Sequence, residues 1–185
     1  MLPWETPRLI IRPFEESDLQ DFCAYRSDPL VAQYQGWNAP YSLEDGAAFI
    51  NQMSQATPGA PEQWYQIAIQ LKPSSPPSPS PVIGDVAFHL KSDQRQAYIG
   101  FSLARPYQGQ GYAHEAVTRL LVYLFDELKL HRVIATVDEL NIPSIRLIER
   151  LGFRREAHFI ENDWFKGRWS SEFWYAMLEN EWRKP

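Results

Sequence analysis

Apolar residues fall along this chain in two periods, and the switches between them mark out its elements. Arg8-Leu9-Ile10-Ile11-Arg12 reads as a short first strand, entered from Thr6-Pro7 and closed by Pro13. Ser17-Asp18 stands where an N-cap belongs. It precedes a helix carrying Leu19, Phe22, Cys23 and Arg26 on neighbouring turns and stopping near Asp28-Pro29. A second helix opens at Ser42-Leu43-Glu44-Asp45, a spacing consistent with a capping box, and carries Ala47, Ala48, Phe49, Ile50 and Met53. The period then drops to two: Trp64 to Leu71 alternates as a strand, and Val82 to Leu90 is the next.

The second half is more regular. Ala97 to Leu103 is a strand. From Ala113 onward Ala116, Val117, Leu120, Leu121, Leu124 and Leu128 keep helical spacing, predicting one amphipathic helix. Arg132 to Val137 reads as a buried strand and Ile142 to Leu151 as a helix, with Asn141 at its cap and Pro143 near its first position. Gly152 supplies a left-handed exit and Phe153 the apolar contact that accompanies one. Strands follow around Arg154–Phe159 and Trp169–Leu178, with no internal repeat. The order βααβββαβαββ predicts one mixed α/β (α+β) domain built on a central sheet, spanning residues 1–185.

Composition narrows the classes. A chain of 185 residues is the length of one domain, at roughly 100–200 residues each. Its 23 acidic and 18 basic side chains leave a net charge of -5, with no Lys/Arg block to neutralise phosphates, which argues against nucleic acid. The single Cys23 excludes an intramolecular disulfide and a thiolate metal cluster, and the four scattered His lack ligand spacing, so no metal is expected. Cys23 falls at an apolar helix position and reads as core. Without a visible signal peptide or an apolar run of the ~20 residues a span needs, a soluble cytoplasmic protein without a membrane partner is expected, a monomer or homodimer.

Residues 73–81 hold five Pro and four Ser. Such a segment favours polyproline II and cannot pair in a sheet, so it reads as an elongated loop between two strands. Tolerated surface insertion is the preferred reading, and a PxxP ligand for an SH3-type partner the alternative.

The most informative stretch is Ala104-Arg105-Pro106-Tyr107-Gln108-Gly109-Gln110-Gly111-Tyr112-Ala113-His114. It joins a strand to a strong helix through two glycines. Glycine lets a ligand approach the backbone, and a helix's first N–H groups lack internal partners, so the turn suits a pyrophosphate. The Walker lysine is missing, and His114 stands where GxGxxG needs its third glycine, so both nucleotide motifs fail.

Here the chain resembles a family. Gln108-x-x-Gly111-x-Ala113 is similar to the Q/R-x-x-G-x-G/A acetyl-CoA loop of the GNAT superfamily of N-acetyltransferases. Asn141-x-x-Ser144-x-x-Leu147-x-Glu149-Arg150-Leu151-Gly152-Phe153 resembles the N-x-x-S-x-x-x-x-E-K-x-G-F signature of its RimJ/RimL-like branch, related to ribosomal-protein amino-terminal acetyltransferases. Thr6-Pro7-Arg8-Leu9-x-x-Arg12-Pro13 and Leu178-x-x-Glu181-Trp182 extend the likeness to nearly the whole chain.

The resemblance implies a sheet splayed between the fourth and fifth strands, flanked by helices, with acetyl-CoA as cosubstrate. Backbone N–H groups of Gln108, Gly109, Gln110, Gly111, Tyr112 and Ala113 would hold the pyrophosphate. The backbone of Phe101, Ser102 and Leu103 would pair with pantetheine, and Asn141 would bond the same arm. Ser144 would protonate the departing thiolate, and the Leu103 N–H would serve as oxyanion donor. The acceptor would be a primary amine, a protein amino terminus or a small molecule, attacking without a covalent acyl-enzyme. An acyl-CoA-binding sensor without catalysis is the alternative reading.

Two departures concern the base. Relatives carry a Glu in an A-E-I-G-Y-type run where this chain has Ala97-Tyr98-Ile99-Gly100-Phe101, and other branches a Tyr where Ile148 stands. Glu161, Asp163, Glu172, bulk water and, less readily, Tyr98 remain as candidates. Without the family likeness Asn141 and Ser144 would read as helix caps. His131 and His158 read as surface residues, and Trp37, Trp164 and Trp169 as packing residues first and lining of an acceptor cleft second.

Overall fold

The computed structural model describes residues 2–73 and 80–183. Most of the Pro/Ser-rich segment read at 73–81 lies outside these residues. The elements in chain order are β1 (Trp4–Glu5), β2 (Leu9–Arg12), α1 (Leu19–Arg26), α2 (Pro29–Ala32), α3 (Leu43–Gln55), β3 (Trp64–Leu71), β4 (Val82–Leu90) and β5 (Gln96–Leu103). There follow α4 (Tyr112–Leu121), β6 (Arg132–Asp138), α5 (Ile142–Arg150), β7 (Arg154–Phe165), β8 (Arg168–Leu178) and α6 (Glu179–Trp182).

One sheet runs in the order β1-β2-β3-β4-β5-β6-β8-β7. Its ladders are antiparallel except that between β5 and β6, whose connection crosses over through α4. That ladder is short: Gln96 faces Arg132, Ala97 faces Val133 and Tyr98 faces Ile134, and beyond these the two strands part. The splay therefore falls between the strands expected, the fourth and fifth in the sequence reading, because β1 had not been foreseen. The fold is a single α/β domain with helices on both faces.

The main core lies between the sheet and α4 with α5. Val86, Phe88, Ile99, Val133 and Tyr175 meet Val117, Leu120, Leu121 and Ile148, all buried. Each such aliphatic side chain contributes roughly 1.5–3 kcal/mol. A smaller cluster on the opposite face packs Phe22, Tyr25, Val31 and Ile50 against Ala68 and Val82. There α1 and α3 cross closely at Gly46, where an added Cβ would stand 2.3 Å from Cys23 Sγ. Cys23 is core, as its position suggested.

Several boundaries differ from expectation for identifiable reasons. The helix read through Leu128 is α-helical only to Leu121 and continues as a π turn over Val122–Glu127. The Leu128 N–H bonds to Tyr123 O, and this wider turn accompanies complete burial of both Leu124 and Phe125. Asp18 does not cap α1 with its side chain; its carboxylate is buried in a bidentate pair with Arg12, at 2.8 Å on each oxygen. Asp28-Pro29 ends one helix and starts another, since the Asp28 side chain accepts from Leu30 N–H and caps α2. β7 runs on to Phe165, making Arg154–Phe165 a long, largely exposed edge strand.

Candidate active site

The turn after β5 is held by its own side chains. Gln108 Nε2 donates to Leu103 O at 2.8 Å and Gln110 Nε2 to Pro106 O at 2.7 Å. Gly109 and Gly111 have φ of 73° and 84°, in the left-handed region that favours glycine. A Cβ at Gly109 would meet nothing within 4 Å, so the turn presents bare backbone to open space. α4 then begins at Tyr112 with no side-chain cap, which leaves its first-turn N–H groups for a ligand.

From the far side the turn is clamped. Arg8 Nη1 donates to Gln110 O at 2.9 Å, and Glu115 in the first turn of α4 accepts from Thr6 Oγ1, Arg8 N and Arg8 Nε. Partial burial opposes the charge on Glu115, but these bonds outweigh it and hold its pKa below the ordinary carboxylate value.

A cavity of about 560 Å³ follows this turn along the parted ends of β5 and β6. Phe101, Ser102, Leu103, Gln108, Gly109, Gly111, Tyr112, Ala113, Asn141 and Ser144 line it, which brings together every site residue read from the sequence except Gln110. Gln110 stands just outside, its side chain turned back to Pro106. Asn141 Oδ1 accepts from Ser144 N–H at a long 3.4 Å as the N-cap of α5. The cap reading of Asn141 therefore holds in the geometry alongside its place in the cavity wall.

The cavity also has walls that sequence reasoning missed. Arg146 and Arg150 reach it from α5, one turn apart, with Arg105 and His114 nearby. Four residues apart, and flanked by Pro143 and Leu147, they fall on one helical face, a signal that was available. Val31, Tyr34 and Gln35 come from α2 and the turn after it, for which the sequence offered no pattern. Tyr34 Oη donates to Leu140 O, and Gln35 Nε2 reaches Phe101 O at 3.4 Å, so this segment bridges the parted strands.

None of the lining residues is Asp or Glu, and several are cationic. Such a wall suits an anionic ligand. The candidate bases lie elsewhere: Glu161 and Asp163 are exposed on β7, and Glu172 on β8 accepts from Asn162 Nδ2 at 3.0 Å. Among the described residues no group of three or more His, Cys, Asp or Glu is arranged to hold a metal. Among them, too, no helix is long and apolar enough to cross a membrane.

Trp164 and Trp169 face each other at 5.5 Å near the end of the β7–β8 hairpin. The hairpin tip rests on the cavity's outer wall, where Lys166 Nζ donates to Ala32 O at 2.6 Å and to Trp37 O at 2.5 Å. Desolvation there lowers the Lys166 pKa. Trp37 itself packs over the Arg26 guanidinium, 4.0 Å from ring centroid to Cζ.

Residues 8–154 match the family described as an acetyltransferase (GNAT) domain. An uncharacterized N-acetyltransferase of Bacillus subtilis is 34% identical over 177 residues, covering 96% of this chain and 97% of that protein. A GNAT-family acetyltransferase from Bacillus anthracis superposes with a TM-score of 0.82 at 32% identity, over 95% of this chain and 98% of its own. The [ribosomal protein uS5]-alanine N-acetyltransferase of Escherichia coli is 27% identical over 108 residues, 57% of this chain and 56% of that one. The chain belongs to the GNAT acetyltransferase family and is an acetyl-CoA-dependent acetyltransferase.

Proposed function

We propose that this protein moves the acetyl group of acetyl-CoA onto a primary amine by direct attack, with no covalent acyl-enzyme. The observation that carries the reading is the course of the cavity. It runs from the glycine turn, along the gap between β5 and β6, to α2 on the other face of the sheet. Cosubstrate and acceptor can then meet in the gap from opposite sides.

On this reading the N–H groups from Gln108 to Ala113 hold the pyrophosphate, helped by the dipole of α4. Arg146 and Arg150 add charge for the remaining phosphate. Phe101 to Leu103 offer pantetheine the strand edge that β6 does not cover, sharing the Phe101 and Leu103 carbonyls with Gln35 Nε2 and Gln108 Nε2, and Asn141 bonds the same arm. The Ala104 N–H donates to Ile83 O in β4 at 2.8 Å, so strand alternation turns the Leu103 N–H toward the gap, where an oxyanion would form.

Acetyl-CoA supplies a thioester carbonyl: the amine nitrogen forms the new C–N bond, the C–S bond breaks, and the sulfur leaves as thiolate. Ser144 donates a proton to that thiolate and takes one back from water, which restores its hydroxyl. Its hydroxyl has no hydrogen-bond partner among the described residues. The amine gives up its own proton to water or to a carboxylate outside the cavity. A cytoplasmic site of action and an acceptor that is either a small amine or a protein amino terminus complete the proposal.

Thiol release from acetyl-CoA, followed with a thiol-reactive dye across amines and short peptides, tests it. Release that depends on an added amine is expected. Release from no amine would contradict the reading.

A further inference from the structure

The sheet has a second face, and its helices cover only half of it. α1 and α3 lie over Ala68 and Asp85, where Tyr25 Oη donates to Asp85 Oδ2 at 2.5 Å. Further along, Thr136 is exposed although β6 sits inside the sheet, and Trp64 is 48% exposed. Alternation puts Trp64, His89, Tyr98 and Trp174 on this face, because their neighbours Tyr65, Phe88, Ile99 and Tyr175 point into the core under α4 and α5.

With Phe159 of β7 these rings form an unbroken row. Centroid separations are 5.4 Å from Trp64 to His89, 6.2 Å to Tyr98, 6.2 Å to Trp174 and 5.3 Å to Phe159. The middle of the row borders the gap: Tyr98 is in the last pair joining β5 to β6, and Gly100 follows on the same face. A Cβ on Gly100 would lie 3.8 Å from the Trp64 ring, so this glycine leaves the approach beside that ring clear.

The charge on this face fits an amine. Ring faces attract cations. Glu172 lies on the same face, two residues before Trp174, and its hydrogen bond comes from the neutral Asn162 amide. The row offers few directional groups, for Trp174 Nε1 and His89 Nδ1 are buried without partners. A peptide backbone needs a donor or acceptor at nearly every residue, and rings do not supply them.

Resting on the acetyl-transfer reading, we propose that the acceptor is a primary amine on an apolar, ring-bearing body, of the arylalkylamine class. Its ammonium sits between Glu172 and the rings of Tyr98 and Trp174, beside the gap. Its body lies along the row toward Trp64.

Steady-state kinetics with phenethylamine, spermidine and the peptide Ala-Gly-Ser, each against acetyl-CoA, test this. The expected kcat/KM for phenethylamine exceeds the other two by roughly tenfold or more. Trp64→Ala, at a half-exposed position that the fold tolerates, makes the phenethylamine KM rise about tenfold and leaves the acetyl-CoA KM unchanged, while Trp64→Phe restores the wild-type behaviour. Better use of spermidine or the peptide overturns the proposal and leaves acetyl transfer standing, as does an unchanged phenethylamine KM in Trp64→Ala. Turnover of none of the three, with other amines accepted, also overturns it; turnover of no amine at all fails both readings.

Discussion

Arg8 Nε donates to Glu115 Oε2 at 2.6 Å, and this pair fastens the second strand to the first turn of α4. The same guanidinium stacks 4.3 Å from the Tyr112 ring centroid and bonds Gln110 O at 2.9 Å. One side chain thus braces the glycine turn and the first turn of α4 from behind. Thr6 completes the arrangement by donating to the other Glu115 oxygen at 2.6 Å. An acidic residue in a helix's first turn is favourable in its own right. The Thr6-Pro7-Arg8-Leu9 run, read from the sequence only as a family likeness, has here a physical reason: it is the back of the glycine turn.

Arg8→Ala is expected to loosen that turn while leaving the fold intact. The KM for acetyl-CoA should rise about tenfold, with a stability loss of no more than about 1 kcal/mol, because the pair is partly exposed. Isothermal titration and a denaturant curve measured together separate the two effects. A stability loss with unchanged acetyl-CoA affinity would contradict the bracing role.

Gly111→Val attacks the same turn from the front. At φ 84° a β-branched residue is strained by roughly 1–2 kcal/mol, and the added Cβ would come within 3.3 Å of Arg8 Nη2. Acetyl-CoA binding should be lost in a variant that still unfolds cooperatively. Unchanged affinity in the folded variant would remove the turn from the binding site.

Ser144→Ala distinguishes chemistry from capping. If the hydroxyl protonates the thiolate, kcat should fall about tenfold to a hundredfold while acetyl-CoA affinity stays near wild type. Because Asn141 caps the backbone N–H of Ser144 and not its hydroxyl, stability should hardly change. An unchanged kcat would leave Ser144 as a wall residue alone.

Glu156 gives a pH prediction. Hydrogen bonds from Arg132 first, then Arg154, hold its pKa at about 2, below its ordinary value of 4.5. Its folded pKa is depressed, so the stability it contributes is present above about 4.5 and is lost as pH falls toward 2. The pair is partly exposed and screened, so the effect is small. Thermal midpoints between pH 6 and pH 2 should fall less steeply for Glu156→Gln than for wild type; identical slopes would count against the ion cluster.

The sequence carried most of the fold because long periodic segments overrule local ambiguity. β3, β4, β5 and α5 appear within a residue or two of their expected ends. The elements it did not reveal are those with no period to read. β1 is two residues whose partners are Ile10 and Ile11, and α2 is one turn created by the Asp28 cap and Pro29. The glycine-turn end of the cavity was legible because glycines and a capped helix leave marks in sequence. Its far end was not, because Val31, Tyr34 and Gln35 arrive by tertiary packing; nor was the ring row from Trp64 to Phe159, which joins strands far apart in the chain. The π turn after α4 was hidden for another reason, since a periodic pattern does not show where one residue is added.

The most direct test of the account is to incubate the protein with acetyl-CoA carrying a labelled acetyl group and a mixture of amines, then to weigh both acceptors and protein by mass spectrometry. Label is expected on an amine nitrogen, accumulating with time, and none on the protein at any point. Label held on the protein and passed from it to the amine, or label on no amine at all, would contradict it.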